Sequence, residues 1–303
     1  MKKILLLIAI ISMFTGCKSP AEDNGKLKIV TTTTMITDLV KNIGGDFIEV
    51  NGLMGAGVDP HLYKASEGDV SKLFTADIIF YNGLHLEGKL VDVFEKMEST
   101  NKKQIALAEV LDKNTLIGSE YFASNYDPHV WFDIQYFIQF AEKVTDELAK
   151  ANPENAEAFQ QNKLVYIEKL KTLEAEVKAI IATLPKEKRI LVTAHDAFNY
   201  FGKAYDFEVV GLQGISTATE AGVQDVQRLS DFIIEKQVKA IFVESSVPRR
   251  TIEALQESVL SKGAEVSIGG SLYSDALGNT GTEEGTYIGM FRYNVTTIVN
   301  SLK

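Results

Sequence analysis

Short runs rich in β-branched residues alternate with longer stretches of helical periodicity along most of the chain. In the first half, "KLKIVTTTT", "FIEVNGLM", "DIIFYNGL" and "QIALAEV" read as strands. Helical stretches around Ile36 to Ile43, Glu67 to Phe74 and Leu90 to Met97 separate them, and "FDIQYFIQFAEKVTDELAKA" closes that half. The second half repeats the alternation with "RILVTAHDAF", "FEVVGLQG", "KAIFVES" and "AEVSIGGSL", and with helices near Val223 to Lys236 and Arg250 to Lys262. Strands that alternate with helices form a parallel sheet, since each return to the sheet needs a crossover. The pattern predicts an α/β fold of two similar lobes, each a mainly parallel four-stranded sheet flanked by helices, over 27–151 and 185–303.

Between them, 152–184 carries a different signal. Asn152 suits an N-cap, Pro153 the first helical position and Glu154 the positive end of a helix dipole. Neither Gly nor Pro follows until Pro185, and Phe159, Leu164, Ile167, Leu170, Leu173, Val177 and Ile181 keep helical spacing. One rigid helix of about 30 residues, roughly 45 Å long, is expected to join the lobes. A flexible hinge would be rich in Gly or Ser.

The N-terminus, "MKKILLLIAIISMFTGCKSP", has two lysines, a short apolar run and small residues ahead of the only cysteine, Cys17. The run is too short to span a bilayer and reads as a signal peptide over 1–16. Cys17 at the cleavage point looks like a lipobox, with Phe14 where Leu is usual, and 17–26 reads as a lipid-anchored tether. With no second cysteine, disulfides and thiolate metal sites are excluded. Losing Lys2 and Lys3 with the signal takes the formal charge from −10 to −12. So acidic a chain is a poor binder of nucleic acid or anionic lipid.

The candidate chemistry lies in the four histidines. His61 and His129 both follow Asp-Pro, in "GVDPHLYKA" and "NYDPHVWFD", while His195 ends the strand "RILVTA" and His85 lies just past another. Ligand-binding groups collect at the C-terminal ends of parallel strands. Asp-Pro is equally a plain turn signal. Asp275, in the Gly- and Ser-rich loop "IGGSLYSDALGNTGTEEGTY", is the carboxylate best placed to join three imidazoles, and turn capping explains it as well. Three imidazoles and a carboxylate suit Zn²⁺, and a bidentate carboxylate extends the set toward Mn²⁺. Asp133, Asp196 and Glu244 are candidates to orient imidazoles through the non-coordinating nitrogen, and each suits a helix cap or a salt bridge equally well.

From "KIVTTTTMITDLVKNIGGD" to the C-terminus, the chain resembles the TroA-type metal-binding lipoproteins, the zinc/manganese solute-binding subunits of ABC importers (cluster A-I). The stretches that carry this are "VDPHLY", "NGLHLEGK", "DPHVWFD", "LVTAHDAFNYF", "GLQGISTATEAG", "FVESSVP" and "SDALG". The resemblance implies ligands at His61, His129, His195 and Asp275 holding one Zn²⁺ or Mn²⁺ as cargo. It also implies a monomer outside the inner membrane, periplasmic or at the cell surface, which hands the ion to an ABC permease with a separate ATPase. His85 is outside the ligand set so implied. Zinc-dedicated members often carry a His- and acid-rich loop, which is absent here; typical manganese members place Glu where this chain has His195. Two other functions compete: a zinc hydrolase with Asp275 or Glu244 as general base, and a surface adhesin. Neither His-Glu-x-x-His nor Gly-x-Ser-x-Gly nor a P-loop is present, and Gly55-Ala-Gly57 is a lone glycine pair.

Overall fold

The computed structural model describes residues 25–120 and 122–303. The expected signal peptide and Cys17 lie outside them. The first lobe runs β1 (Leu27–Thr31), α1 (Thr34–Gly44), β2 (Ile48–Gly52), α2 (Glu67–Thr75), β3 (Ile78–Tyr81), α3 (Val91–Glu98), β4 (Lys103–Ala106) and α4 (Ile134–Ala151). Its four strands form one parallel sheet in the order β2-β1-β3-β4.

After the long helix α5 (Ala156–Ala182), the second lobe runs β5 (Ile190–His195), α6 (Asn199–Tyr205), β6 (Glu208–Gln213), α7 (Val223–Glu235), β7 (Ala240–Glu244), α8 (Arg250–Ser261), β8 (Ser267–Leu272) and α9 (Tyr287–Leu302). Here the four strands make two parallel pairs, β5-β6 and β7-β8, with β5 lying against β7. Among the described residues no backbone ladder joins the two pairs. At the end of β5 the N–H of His195 bonds the Glu244 side chain of β7, at 2.8 Å. In β8 a register shift skips Gly269, where any Cβ would strike Phe242 and Ser301.

Alternation along the strands decides what holds the lobes together. Ile29, Ile78 and Phe80 face one core and Val30 and Ile79 another; Leu191 and Phe242 face the first, Val192, Ile241 and Val243 a third. The two inner sheet faces therefore share a single core, built around α1, α4, α5 and α9. Each outer face has its own smaller core, under α2 and α3 or under α7 and α8.

The connecting helix departs from expectation at its start. Pro153–Asn155 form a 3₁₀ turn and Asn152 makes no side-chain cap, so the α-helix has 27 residues, about 40 Å. Phe159, Leu170, Leu173, Val177 and Ile181 enter the shared core, but Leu164 is exposed, one turn of the stripe lying off the buried face. Among the described residues no helix is long and apolar enough to cross a membrane.

A connector packed along its length into a core common to both lobes resists bending. Removing the ion expected from the sequence should leave the radius of gyration unchanged within error in solution scattering. A large increase would contradict the shared core.

Candidate metal centre

Both Asp-Pro-His segments are built alike. Asp59 and Asp127 each use Oδ1 to accept the backbone N–H of the histidine two residues on, at 2.8 and 2.9 Å. With proline fixing φ between them, each is an Asx turn that sets the histidine backbone outside any helix or strand. The remaining valences differ. Asp127 Oδ1 also lies 2.7 Å from His129 Nδ1. Asp59 turns Oδ2 across the cleft to accept from Thr217 Oγ1 at 2.6 Å.

His195 is fixed by another route to the same end. Glu244, the last residue of β7, takes the His195 backbone N–H on Oε1, and its Oε2 lies 2.6 Å from Nδ1 as an ion-pair contact rather than an aligned hydrogen bond. An ionised carboxylate only accepts, so a carboxylate at Nδ1 keeps a proton there and turns Nε2 inward. Asp275 follows β8 on a loop clasped by the first lobe: Trp131 Nε1 donates to the Ser274 carbonyl at 3.1 Å, and the Leu277 N–H donates to Thr34 Oγ1 at 2.7 Å.

These elements bring His61, His129, His195 and Asp275 together, with one potential ligand atom from each lying within 4.8 Å of all the others. His61 Nε2 is 3.2 Å from His129 Nε2. Asp275 Oδ1 is 3.5 Å from His129 Nε2, and Oδ2 is 3.3 Å from His195 Nε2 and 3.9 Å from His61 Nε2. A tetrahedral ion with bonds of about 2.0–2.1 Å sets its donors about 3.3 Å apart. All four residues are at most 4% exposed, yet both Asp275 oxygens and His195 Nε2 have no hydrogen-bond partner. Buried polar atoms are rarely left so.

Electrostatics divide the four. Burial, the largest effect, lowers His61 to about 3; the Asp275 charge opposes it, and His129 and His195 add to it. Burial also disfavours a charged His195, but Glu244 and Asp275 outweigh it and hold the group well above the ordinary histidine range. Burial pushes the Asp275 carboxyl up; the imidazoles, His195 foremost, outweigh it and hold it well below the usual carboxylate range. Without an ion, then, an imidazolium at His195 faces a carboxylate at Asp275.

Of the three acids expected to orient imidazoles, only Glu244 touches one. Asp133 instead caps α4, accepting from the Gln135 N–H at 2.8 Å. Asp196 instead accepts from the Gly211 N–H at 2.7 Å, an approach that any Cβ at 211 would block. Sequence reasoning missed Asp127 and Asp59, although the signal was the repeated Asp-Pro-His itself. His85 is exposed and outside the cluster.

A model of the zinc-uptake complex component A family (ZnuA), described as periplasmic, matches residues 29–301. The chain belongs to this family. Over 292 residues it is 48% identical to the manganese-binding lipoprotein MntA of Bacillus subtilis (strain 168), covering 95% of each protein. Over 301 residues it is 46% identical to the zinc-binding protein TroA of Treponema pallidum (strain Nichols), covering 98% of this chain and 96% of TroA. The solved structure of the periplasmic zinc-binding protein TroA from Treponema pallidum superposes with a TM-score of 0.89 at 47% identity, over 92% of this chain and 99% of that one. This ZnuA-family chain thus shares the fold of that structure, and in it mainly parallel α/β lobes flank one long helix.

The carboxylates at Nδ1 generate a prediction. Asp127→Ala and Glu244→Ala should each weaken metal affinity about 10–100-fold in competition titration. Asp133→Ala should instead cost about 1 kcal/mol of thermal stability and leave affinity unchanged.

Proposed function

We propose that this protein captures one divalent transition-metal ion, Zn²⁺ or Mn²⁺, on His61, His129, His195 and Asp275 and delivers it to a membrane permease driven by a separate ATPase. One observation carries the reading: a buried carboxylate with both oxygens unbonded faces three inward-turned imidazole nitrogens. A cation supplies the missing partner to all of them at once. Membership of the zinc-uptake family and the manganese- and zinc-binding relatives support the same conclusion.

Capture is favoured over catalysis. A catalytic zinc keeps a position open for water, whereas four side chains here fill a tetrahedral shell. Glu244, a candidate general base for a hydrolase, is engaged by His195. An adhesin has no need of converging buried donors. Both Asp275 oxygens face the imidazoles, so the shell admits four or five bonds, compatible with either ion. Cys17 would carry the lipid that keeps a monomeric protein at the outer side of the membrane, ready for its permease.

Elemental analysis of purified, untagged protein, followed by competition titration with Zn²⁺ and Mn²⁺ after chelation, tests the proposal. One equivalent of metal is expected, lost in His129→Ala and weakened in Asp275→Ala. No stoichiometric metal and no binding on add-back would overturn it. Because the ion must displace the His195 proton, affinity should fall on acidification by about tenfold per pH unit for each proton displaced. A pH-independent affinity would contradict that ligand.

A further inference from the structure

His85 has no part in the ligand cluster, yet the chain goes to some length to place it. Gly83, Leu84 and His85 take φ of 84°, 49° and 63°, three consecutive left-handed residues. For non-glycine residues that conformation is costly, and it is normally visited singly. A buried carboxylate holds the turn: Glu87 accepts from the Asn82 and Gly83 N–H groups at 2.8 and 3.2 Å and from Thr32 Oγ1 at 2.7 Å. Asn82 Nδ2 donates to the Pro128 carbonyl at 3.0 Å, which ties the turn to the loop carrying His129. Leu84 and Leu86 are buried on either side, so the turn presents His85 alone to solvent. Backbone strain over-determined by its surroundings clusters at functional sites.

What His85 stands beside gives that function a direction. Its ring meets Phe122 edge-on, with centroids 6.1 Å apart and planes at 79°. Phe122 meets His61 in the same manner on its inner side, at 6.3 Å and 90°. Phe122 is 9% exposed and His61 4%, so the series runs from solvent through one aromatic cover to the ligand shell. Gly88 leaves room for the outer imidazole, since a Cβ there would come within 3.0 Å of His85 Nε2.

We propose that His85 is a transient outer ligand: it holds the incoming divalent ion at the rim, and the ion passes to His61 as Phe122 swings aside. This rests on the capture function proposed above. The ion leaves by the path it arrives on, and His85 is absent from the final shell. Loss of His85 therefore slows binding and release alike and leaves the equilibrium unchanged.

Stopped-flow kinetics of Zn²⁺ binding and release, followed with a competing indicator, test this on His85→Asn and His85→Phe. Asparagine tolerates the left-handed backbone, and phenylalanine keeps the ring against Phe122 without its nitrogens. Both variants should lower the association and dissociation rates by a common factor of about tenfold, at unchanged Kd and one ion per chain. Phe122→Ala should raise both rates. Wild-type rates in both variants would overturn the proposal, as would slowing in His85→Asn alone, which would assign His85 a packing role. Equilibrium binding by the wild type and by His129→Ala, measured in parallel, separates the two readings. One equivalent in the wild type that is lost in His129→Ala keeps the capture site whatever the His85 rates; no binding by the wild type removes both.

Discussion

Four ionisable side chains at the meeting of the lobes are buried with their donor atoms turned toward one another, and much of the structure follows from accommodating them. Two Asx turns set the backbones of His61 and His129, Asp127 and Glu244 hold the outer nitrogens of His129 and His195, and Asp275 is left with both oxygens unbonded. In the absence of an ion, the contact between charged His195 and Asp275 at 3.3 Å offsets part of the burial penalty. Such an arrangement is incomplete by itself. On the function proposed above, a small cation completes it.

Holding donors at this spacing requires that the two lobes not drift. Around the site the chain is stitched across the cleft by bonds to side chains that are themselves packed in the shared core. Trp131 reaches the Ser274 carbonyl, the Tyr287 hydroxyl donates to the Trp131 carbonyl at 2.7 Å, and the Tyr200 hydroxyl donates to the Asp127 carbonyl at 3.0 Å. Asp38 on α1 accepts from the N-terminal N–H of α9 at 3.0 Å, and Phe137 of α4 stacks on Tyr287 at 3.8 Å. His129, His195 and Asp275 thus hang from one body. His61 sits on a loop away from that core, joined to the second lobe through the Asp59–Thr217 bond. Of the four donors it is the one with the freest surroundings, and it is the one the Phe122 ring covers.

Much of this was legible in the sequence, for physical reasons. Parallel strands buried on both faces leave continuous β-branched runs, and all eight expected strands are present. The convergence of three histidines and Asp275 could be argued from strand ends and from resemblance, because topology gathers such residues. Two helices escaped notice. In α6 only seven residues are helical, without a side-chain cap. In α9, Gly289 and the run Thr296 to Val299 have poor helix propensity, which burial in the shared core overrides. The carboxylates behind the imidazoles were harder to read. Asp133 and Asp196 are near ligands in sequence but bond backbone N–H groups, whereas Glu244 reaches His195 from a neighbouring strand. Asp127, two residues before its histidine, reads in the sequence as a turn signal alone; in the structure it is a turn residue and an imidazole anchor together.

In the proposed function the three imidazoles and the Asp275 carboxylate bind a single ion. X-ray absorption at the zinc edge of the zinc-loaded protein counts those ligands directly. Three imidazole nitrogens and carboxylate oxygen at about 2.0–2.2 Å are expected, with one imidazole lost in His195→Ala. A shell of water and carboxylate with fewer than three imidazoles, unaltered by that substitution, would contradict it.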